Sequence, residues 1–275
     1  GSAITYARRY ALASMIGILC VRGKDGADPM DAMNMGYYIT AVISAIFLYF
    51  GVQWLLGTTP NWIYFFVAGL VGIALSVAFL RITLFYTDHN YRPVQEIAQA
   101  SETGPATNII SGFSVGLETT AVPAILIGIS LLLSYWCGTM TGIEGGGLYG
   151  TAVATIGMLM VCAYVLTMDT FGPIADNAGG IVEMSGAPDE VRHRMDKLDA
   201  AGNTTKALTK GYAIGSASLA VFLLFNAYMA DITKLTGKAF EIVNLASVPV
   251  FVGALLGAML VFLFASLAIR AECKP

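Results

Sequence analysis

Long apolar runs, separated by short polar segments, dominate the pattern along this chain. A helix rises about 1.5 Å per residue, so a run of roughly 20 apolar residues crosses the hydrocarbon core of a bilayer. Six runs have about this length: Gly36–Gly57, Trp62–Leu80, Ile109–Cys137, Leu148–Thr167, Tyr212–Met229 and Val248–Ile269. A seventh, Ala3–Val21, is interrupted by Arg8 and Arg9. The pattern predicts an all-α, polytopic transmembrane helical bundle with six complete spans and one partial span, forming a single transmembrane region over residues 1–275.

The composition agrees with a membrane protein and not with a soluble domain. Apolar residues make up 56% of the chain and charged residues only 12%, whereas about a quarter of a soluble domain is charged. The mean hydropathy is +0.70. The net charge of −3 is small, so no nucleic-acid partner is predicted. We interpret the four cysteines as packing residues, because they are widely scattered: Cys20, Cys137, Cys162 and Cys273.

Basic residues are concentrated in the loops of one side. If the loops alternate, that side carries Arg22, Lys24, Arg81, Arg92, Arg192, Arg194, Lys197, Arg270 and Lys274. The opposite side carries Lys234 and Lys238, and the interrupted first segment with Arg8 and Arg9 is left uncounted. Cytoplasmic loops carry the excess of lysine and arginine. The first side is therefore predicted to be cytoplasmic.

A polar stripe precedes the apolar run Tyr212–Met229. Its members are spaced by 3, 4, 3 and 4 residues, which places them on one face of a helix: Asp196, Asp199, Asn203, Lys206 and Lys210. Two interpretations are open. The stripe is either a solvated helix end with ordinary pairs such as Asp199 with Asn203, or one wall of a polar cavity on the cytoplasmic side.

A second polar set follows the run Leu148–Thr167 and consists of Asp169, Asp176 and Asn177. Asp169 and Asp176 are seven residues apart and share a face on a regular helix. Pro173 lies between them, removes one helix hydrogen bond and is a candidate position for a kink. One alternative is that Asp176 and Asn177 only end the helix. The other is that these carboxylate and amide oxygens bind a hard cation such as Mg²⁺.

Glu118 is the most membrane-embedded carboxylate outside these two segments. It follows Asn108 and Ser111 along one side of a helix whose later half is apolar. Two roles stay open for this possible buried acid: a proton carrier and a hydrogen-bonded structural acid. His89 and His193 lie in charged loops far apart in the sequence, and we interpret both as surface residues.

Several long strings in the second half of the chain are specific enough to compare with a known family. They are DTFGPIADNAGGIVEM from Asp169, LDAAGNTT from Leu198, KGYAIGSA from Lys210, ASETGPATNIISG from Ala100 and GLETTAVP from Gly116. These strings closely resemble the membrane-embedded, ion-pumping pyrophosphatases. The resemblance covers roughly Tyr86 to the end of the chain, with a looser fit before it.

The resemblance implies a homodimeric pump of sixteen helices that hydrolyses cytosolic pyrophosphate, uses Mg²⁺ and moves H⁺ or Na⁺ outward through the membrane. This chain resembles its middle, about the seventh to the thirteenth helix, and we expect it to be a segment of a longer protein. By resemblance, Asp176 and Asn203 help to hold the Mg²⁺–pyrophosphate complex. Asp169, Asn177 and Lys210 are expected to support them.

Lys206 and Thr209 indicate to which subclass of that family the chain is similar. Members that need K⁺ tend to carry alanine at the position of Lys206, and alanine or a similar residue near Thr209. Lys206 with Thr209 resembles the K⁺-independent subclass, whose members pump protons. The substitution is physically sensible, because an ammonium on a flexible stem can replace a bound monovalent cation beside a polyanion.

One departure from the family pattern limits what this chain does alone. The aspartate-rich motif of earlier helices and the aspartate- and lysine-rich motifs of the last two are absent from this sequence. No catalytic residue is therefore assigned here, and the segment alone is expected to be inactive. The alternatives are a Na⁺-pumping member of the family, a secondary transporter or channel that uses Glu118, Asp169 and Asp176 without hydrolysis, and a purely structural half-bundle.

Overall fold

The computed structural model describes residues 28–240 and 242–272, and these residues form helices without strands. In chain order the helices are α1 (Pro29–Leu56), α2 (Ile63–Thr87), α3 (Arg92–Ala100), α4 (Pro105–Glu118), α5 (Ala121–Thr139), α6 (Gly146–Leu159), α7 (Cys162–Met184), α8 (Asp189–Thr236) and α9 (Val248–Glu272). A short 3-10 turn, Ser101–Thr103, links α3 to α4. The predicted all-α class is confirmed for this part of the chain.

Five helical segments of the described residues are long and apolar enough to cross a membrane: Pro29–Leu56, Ile63–Thr103, Pro105–Thr139, Asp189–Thr236 and Val248–Ala271. The pair α6 and α7, bent by 40°, makes a sixth when it is taken as one span. Six spans were predicted, and by length and composition that prediction is confirmed. The predicted partial span Ala3–Val21 lies outside the described residues. So do Arg8, Arg9, Cys20, Arg22, Lys24, Cys273 and Lys274.

The chain divides into two compact units, residues 1–223 and residues 224–275. The first unit contains α1 to α7 and the N-terminal part of α8, and it carries all of the predicted site residues. The second unit contains the end of α8 and α9. α9 is apolar along its length and has Arg270 in its last turn.

α2 lies at the centre of the core of the first unit. Its buried side chains include Phe65, Leu75 and Phe79, and α1, α5 and α6 pack against it. The crossing with α6 is close, since a Cβ added to Gly72 would lie 1.8 Å from the carbonyl oxygen of Ala154. Small residues let helix backbones approach in this way in membrane proteins. The crossing fixes α6 on α2 and so fixes the position from which α7 starts.

The chain bends at Met160 and Val161, between α6 and α7. The sequence predicted one uninterrupted run here and placed a candidate kink at Pro173. The run is instead divided at this bend, whereas the helix continues through Pro173 to Met184. A proline removes only one hydrogen bond of a helix, and the neighbouring Gly172 packs tightly against α8. The bend lies instead where Val161 is fully buried in the core.

The predicted run Ile109–Cys137 is also divided, into α4 and α5, at Thr119 and Thr120. Pro123 has no amide hydrogen to bond the carbonyl of Thr119, four residues earlier. The two threonine hydroxyls donate to carbonyls three residues before them, at 2.6 and 2.8 Å. The run is therefore a broken helix, although its whole extent still qualifies as one span.

The two polar segments of the sequence lie within helices and not at their ends. α7 continues two turns beyond Asp176 and Asn177, so the alternative that these residues end the helix is wrong. α8 runs without interruption over 48 residues. It carries the whole polar stripe from Asp196 to Lys210, as the spacing predicted.

Candidate functional site

The polar parts of α7 and α8 meet where two glycines face each other. A Cβ added to Gly172 would lie 2.7 Å from Cε of Lys206 and 2.9 Å from the carbonyl oxygen of Gly202. A Cβ added to Gly202 would lie 3.1 Å from Cα of Gly172. The two backbones are therefore nearly in contact, with no side chain between them. This approach lets the side chain of Lys206 on α8 pass Gly172 and reach Asp176 on α7.

One ammonium group joins the two polar segments. Nζ of Lys206 donates to Oδ2 of Asp176 at 2.7 Å and to Oδ1 of Asn203 at 3.5 Å. The sequence predicted that Asp176 and Asn203 approach each other, and this approach is confirmed. The side chain of Lys206 is 30% exposed and that of Asp176 is 56% exposed. An ion pair this open to water stabilises a fold weakly, so stability alone does not account for the arrangement.

Asp199 extends this set by one turn of α8. Its Oδ2 accepts a hydrogen bond from Nδ2 of Asn203 at 3.2 Å. Its Oδ1 is buried and has no hydrogen-bond partner among the described residues. The sequence indicated the pair of Asp199 and Asn203 only as an ordinary contact along a helix. The feature that it did not reveal is the buried oxygen.

A cleft of about 270 Å³ opens beside these residues, between α7 and the first turns of α8. Its charged lining residues are Asp176, Glu183, Arg192, Asp196 and Asp199. The guanidinium of Arg192 pairs with the carboxylate of Glu183. The remaining carboxylates leave an excess of negative charge, which favours cations in the cleft.

Asp169 and Asn177 share α7 with Asp176 but make other contacts. Nδ2 of Asn177 donates to the carbonyl oxygen of Pro173 at 2.7 Å, which holds this amide against its own helix. Asp169 is half-buried and lies two turns before Asp176. Their supporting roles stay predictions.

Thr209 and Lys210 lie on other faces of α8 than the group around Lys206. The Thr209 hydroxyl donates to the carbonyl of Thr205 at 3.1 Å, and Thr209 lines a small, mainly apolar cavity in the core. Lys210 lines a separate cavity of about 410 Å³ with Tyr86. The supporting role of Lys210 and the cation-site role of Thr209 stay predictions. A spacing of three or four residues gives a common stripe, but the stripe is wide enough for its last members to face different neighbours.

Glu118 is exposed in the described chain, and no residue of α4 is buried. The hydroxyl of Tyr86 donates to its Oε1 at 3.1 Å. The two roles of Glu118, a proton carrier and a hydrogen-bonded structural acid, both stay predictions.

The two histidines lie nearer to each other than the sequence suggested. His89 and His193 both line a cavity of about 430 Å³, together with Asp28, Asp196 and Lys197. Both histidines are exposed, as predicted. The fold brings them together because the loop after α2 lies beside the first turns of α8.

The oxygen atoms around Lys206 are of the type that binds Mg²⁺, but they are too few for a complete magnesium site. A carboxylate and an amide oxygen surround one positive charge, and Mg²⁺ prefers such oxygen ligands. In the part of the chain that the structure describes, no group of three or more His, Cys, Asp or Glu residues could hold a metal ion. These residues can therefore contribute to a magnesium site but do not complete one.

Comparison with known proteins gives consistent matches. The family model described as inorganic H⁺ pyrophosphatase matches residues 3–274. A Moorella thermoacetica protein named K(+)-insensitive pyrophosphate-energized proton pump 2 is 58% identical over 262 residues, which cover 94% of this chain and 38% of that protein. A Caldanaerobacter subterraneus subsp. tengcongensis protein named K(+)-insensitive pyrophosphate-energized proton pump is 53% identical over 275 residues, which cover 96% of this chain and 39% of that protein. A Clostridium tetani protein that carries the name of a K(+)-stimulated pyrophosphate-energized sodium pump is 42% identical over 269 residues, which cover 96% of this chain and 38% of that protein.

The chain spans about two fifths of the length of these relatives. Within that length the family match is almost unbroken, and it includes both polar segments that meet at Lys206. The resemblance of the sequence strings, the helical membrane fold and the family match agree. The chain belongs to the inorganic H⁺ pyrophosphatase family of membrane proteins.

Proposed function

We propose that this chain is part of a pyrophosphate-energized proton pump, an integral membrane hydrolase that couples hydrolysis of cytosolic pyrophosphate to proton transfer. The observation that carries the proposal is the position of Lys206 Nζ, 2.7 Å from Oδ2 of Asp176 and 3.5 Å from Oδ1 of Asn203. These groups suit a polyanion and its metal, because hard oxygen donors bind Mg²⁺ and an ammonium neutralises phosphate.

Each member of this group has a separate task in the proposed pump. Asp176 and Asn203 would hold Mg²⁺, which when bound neutralises pyrophosphate and polarises its phosphoryl oxygens. Lys206 supplies a fixed positive charge beside the substrate. The incomplete ligand set of the described residues supports the view that the remaining ligands and the water-activating carboxylates belong to other parts of the pump.

Lys206 also supports the absence of a K⁺ requirement. The relatives named K(+)-insensitive are 58% and 53% identical to this chain, whereas the relative with a K(+)-stimulated name is 42% identical. An ammonium within 3.5 Å of two oxygen ligands takes the place that a monovalent cation would need. The same identities favour H⁺ over Na⁺ as the pumped ion.

A secondary transporter or channel without hydrolysis is the second candidate function. It would use acidic residues along an ion path, and Glu118 was proposed for that role. The exposure of Glu118 and its hydrogen bond to Tyr86 weaken this alternative. The cluster around Lys206 favours a polyanionic substrate instead.

Two further features of the pump are proposals of the same kind. The site is proposed to open to the cytoplasm, because the basic residues of the loops lie mostly on its side of the membrane. The complete protein is proposed to be a homodimer in membrane lipid, as the family resemblance implies.

The proposal is tested with the full-length protein in sealed vesicles. Addition of pyrophosphate with Mg²⁺ in Na⁺-free and K⁺-free buffer is expected to release phosphate and to form a pH gradient, measured with a quenching dye. Asp176→Ala should abolish both signals and leave the protein inserted, because a lost hard ligand leaves the metal and the polyanion under-neutralised.

Three outcomes of this test separate the alternatives. Ion movement without pyrophosphate hydrolysis would favour the transporter. A gradient that forms only with Na⁺ and collapses with a Na⁺ ionophore would favour a sodium pump. Near-normal turnover of Asp176→Ala would contradict the ligand role of Asp176.

A further inference from the structure

The amide of Asn203 lies between the carboxylate of Asp199 and the ammonium of Lys206. Its carboxylate only accepts hydrogen bonds when ionised, and its Oδ2 accepts from Nδ2 of Asn203 at 3.2 Å. The nitrogen end of the amide is therefore turned towards Asp199. The oxygen end is turned the other way, where it accepts from Nζ of Lys206 at 3.5 Å.

The direction matters because the two ends of an amide have opposite functions. The oxygen can bind a metal or accept from an ammonium, whereas the NH₂ group can do neither. If the amide were flipped, its oxygen would face the Asp199 carboxylate and its NH₂ group would face the ammonium of Lys206. Both contacts would be repulsive. Without Asp199, only the weaker contact to Lys206 would select the orientation.

We propose that Asp199 is a positioning residue, which holds the amide oxygen of Asn203 towards Asp176 and Lys206 and so sets the affinity of the site for Mg²⁺. The inference rests on the proposed function. Partners that orient metal ligands are ordinary features of metal sites, and their loss typically costs about 10–100-fold in metal affinity or activity.

A second observation separates this role from that of an ordinary surface pair. Two other pairs four residues apart, Arg92 with Glu96 and Arg194 with Glu190, are exposed on both sides. Asp199 instead has a buried Oδ1 and lines the same cleft as Asp176. A partly buried carboxylate has less freedom to move than a solvated one. Restricted movement of this kind is what the orientation of a metal ligand needs.

The test uses the full-length protein and the variants Asp199→Ala and Asp199→Asn. Asparagine can still accept from Asn203 with its own amide oxygen, whereas alanine cannot. We expect Asp199→Ala to raise the Mg²⁺ concentration for half-maximal hydrolysis by about tenfold or more, and Asp199→Asn to stay within about threefold of the parent. Asp189→Ala, at the start of the same helix and not among the residues that line the cleft, is the control for loss of one negative charge.

A measurement that does not depend on turnover accompanies the kinetics. Mg²⁺ with methylene diphosphonate, a non-hydrolysable analogue, should raise the melting temperature of the parent, because a ligand that binds only the folded state stabilises it. Asp199→Ala should need about tenfold more Mg²⁺ for the same rise. If Asp199→Ala does not accumulate in the membrane, Asp199→Ser takes its place, since serine is too short to reach Nδ2 of Asn203.

A double-mutant cycle decides whether Asp199 acts through Asn203. In an Asn203→Ala background, Asp199→Ala should add no further change to the Mg²⁺ dependence of the melting temperature. Additive effects would overturn the inference. So would a parent-like Mg²⁺ dependence of Asp199→Ala, or an Asp199→Asn variant as impaired as Asp199→Ala. A parent protein without Mg²⁺-dependent pyrophosphate hydrolysis would instead contradict the proposed function.

Discussion

The hydroxyl of Tyr212 on α8 donates a hydrogen bond to the backbone carbonyl of Met158 on α6 at 2.7 Å, inside the core. Met158 lies in the last turn of α6, where carbonyls have no partner within the helix. The bend at Met160 and Val161 follows directly. Tyr212 therefore supplies the hydrogen bond that the bend removes, and it ties α8 to the helix that leads into α7.

Tyr212→Phe should destabilise the protein, because a buried carbonyl would lose its donor. A buried polar group without a partner costs about 1–3 kcal/mol. The melting temperature of the full-length protein, measured in detergent by intrinsic fluorescence, is expected to fall by several degrees. Tyr228→Phe, at an exposed position of the same helix, should leave it unchanged. An equal effect of both substitutions would contradict the role of the hydrogen bond.

Gly172→Ala should disturb the contact between α7 and α8. Its new methyl group would lie 2.9 Å from the carbonyl oxygen of Gly202 and 2.7 Å from Cε of Lys206. The lysine stem can move, but the backbone oxygen cannot, so overpacking should cost about 1–3 kcal/mol. We expect lower thermal stability and lower turnover together.

Gly128→Ala is the matched control for this change, since a methyl group there meets open space. A Gly172→Ala protein as stable and as active as Gly128→Ala would show that the two helices are free to separate at this point.

Lys206→Ala in the full-length protein tests whether the ammonium replaces K⁺. The variant should lose activity in buffer without Na⁺ and K⁺, because Asp176 and Asn203 would lose their bound positive charge. Added K⁺, at tens of millimolar, should restore much of the activity, since the vacated space and charge suit a monovalent cation. Phosphate release with and without K⁺ is the measurement.

Two other outcomes for Lys206→Ala would exclude that role. Unchanged activity without K⁺ would identify Lys206 as a lysine whose stem packs on apolar surface while its ammonium is solvated by water. Activity that is lost under both conditions would point to a structural role.

The 275-residue chain alone should not hydrolyse pyrophosphate at any Mg²⁺ concentration. Its described residues contain no complete metal ligand set, and two oxygen ligands cannot neutralise a polyanion and its metals. Phosphate release by the purified chain, compared with a buffer blank, tests this. Turnover specific for pyrophosphate would mean that the missing ligands are already present in this chain.

The sequence was sufficient for the helices and for the meeting of Asp176 with Asn203. The lengths of the apolar runs predicted the spans, and the 3, 4, 3, 4 spacing predicted one polar helix. Charged side chains beside membrane-length runs indicated a cavity, because such residues are costly when they face lipid. Their shared side of the membrane and the resemblance to the ion-pumping pyrophosphatases then indicated which two segments share that cavity.

The remaining features depend on helix rotation and on close backbone contacts, and neither can be predicted from the order of residue types along the chain. Lys210 follows the same spacing as Lys206 but lines a different cavity, and Thr209, three residues after Lys206, lines a cavity in the core. The sequence likewise contained no signal for the break between α6 and α7, where Val161 is fully buried in the core. Such outcomes follow from packing between neighbours and not from local propensity.

The contact between Lys206 and Asp176 means that the chain itself neutralises part of the negative charge of the cleft. In the proposed pump, a divalent cation at Oδ2 of Asp176 would lie beside the Lys206 ammonium, which is 2.7 Å from that oxygen, and the two positive charges would repel each other. Mg²⁺ that arrived together with an anion would meet less of this repulsion than Mg²⁺ alone, because the anion carries compensating negative charge.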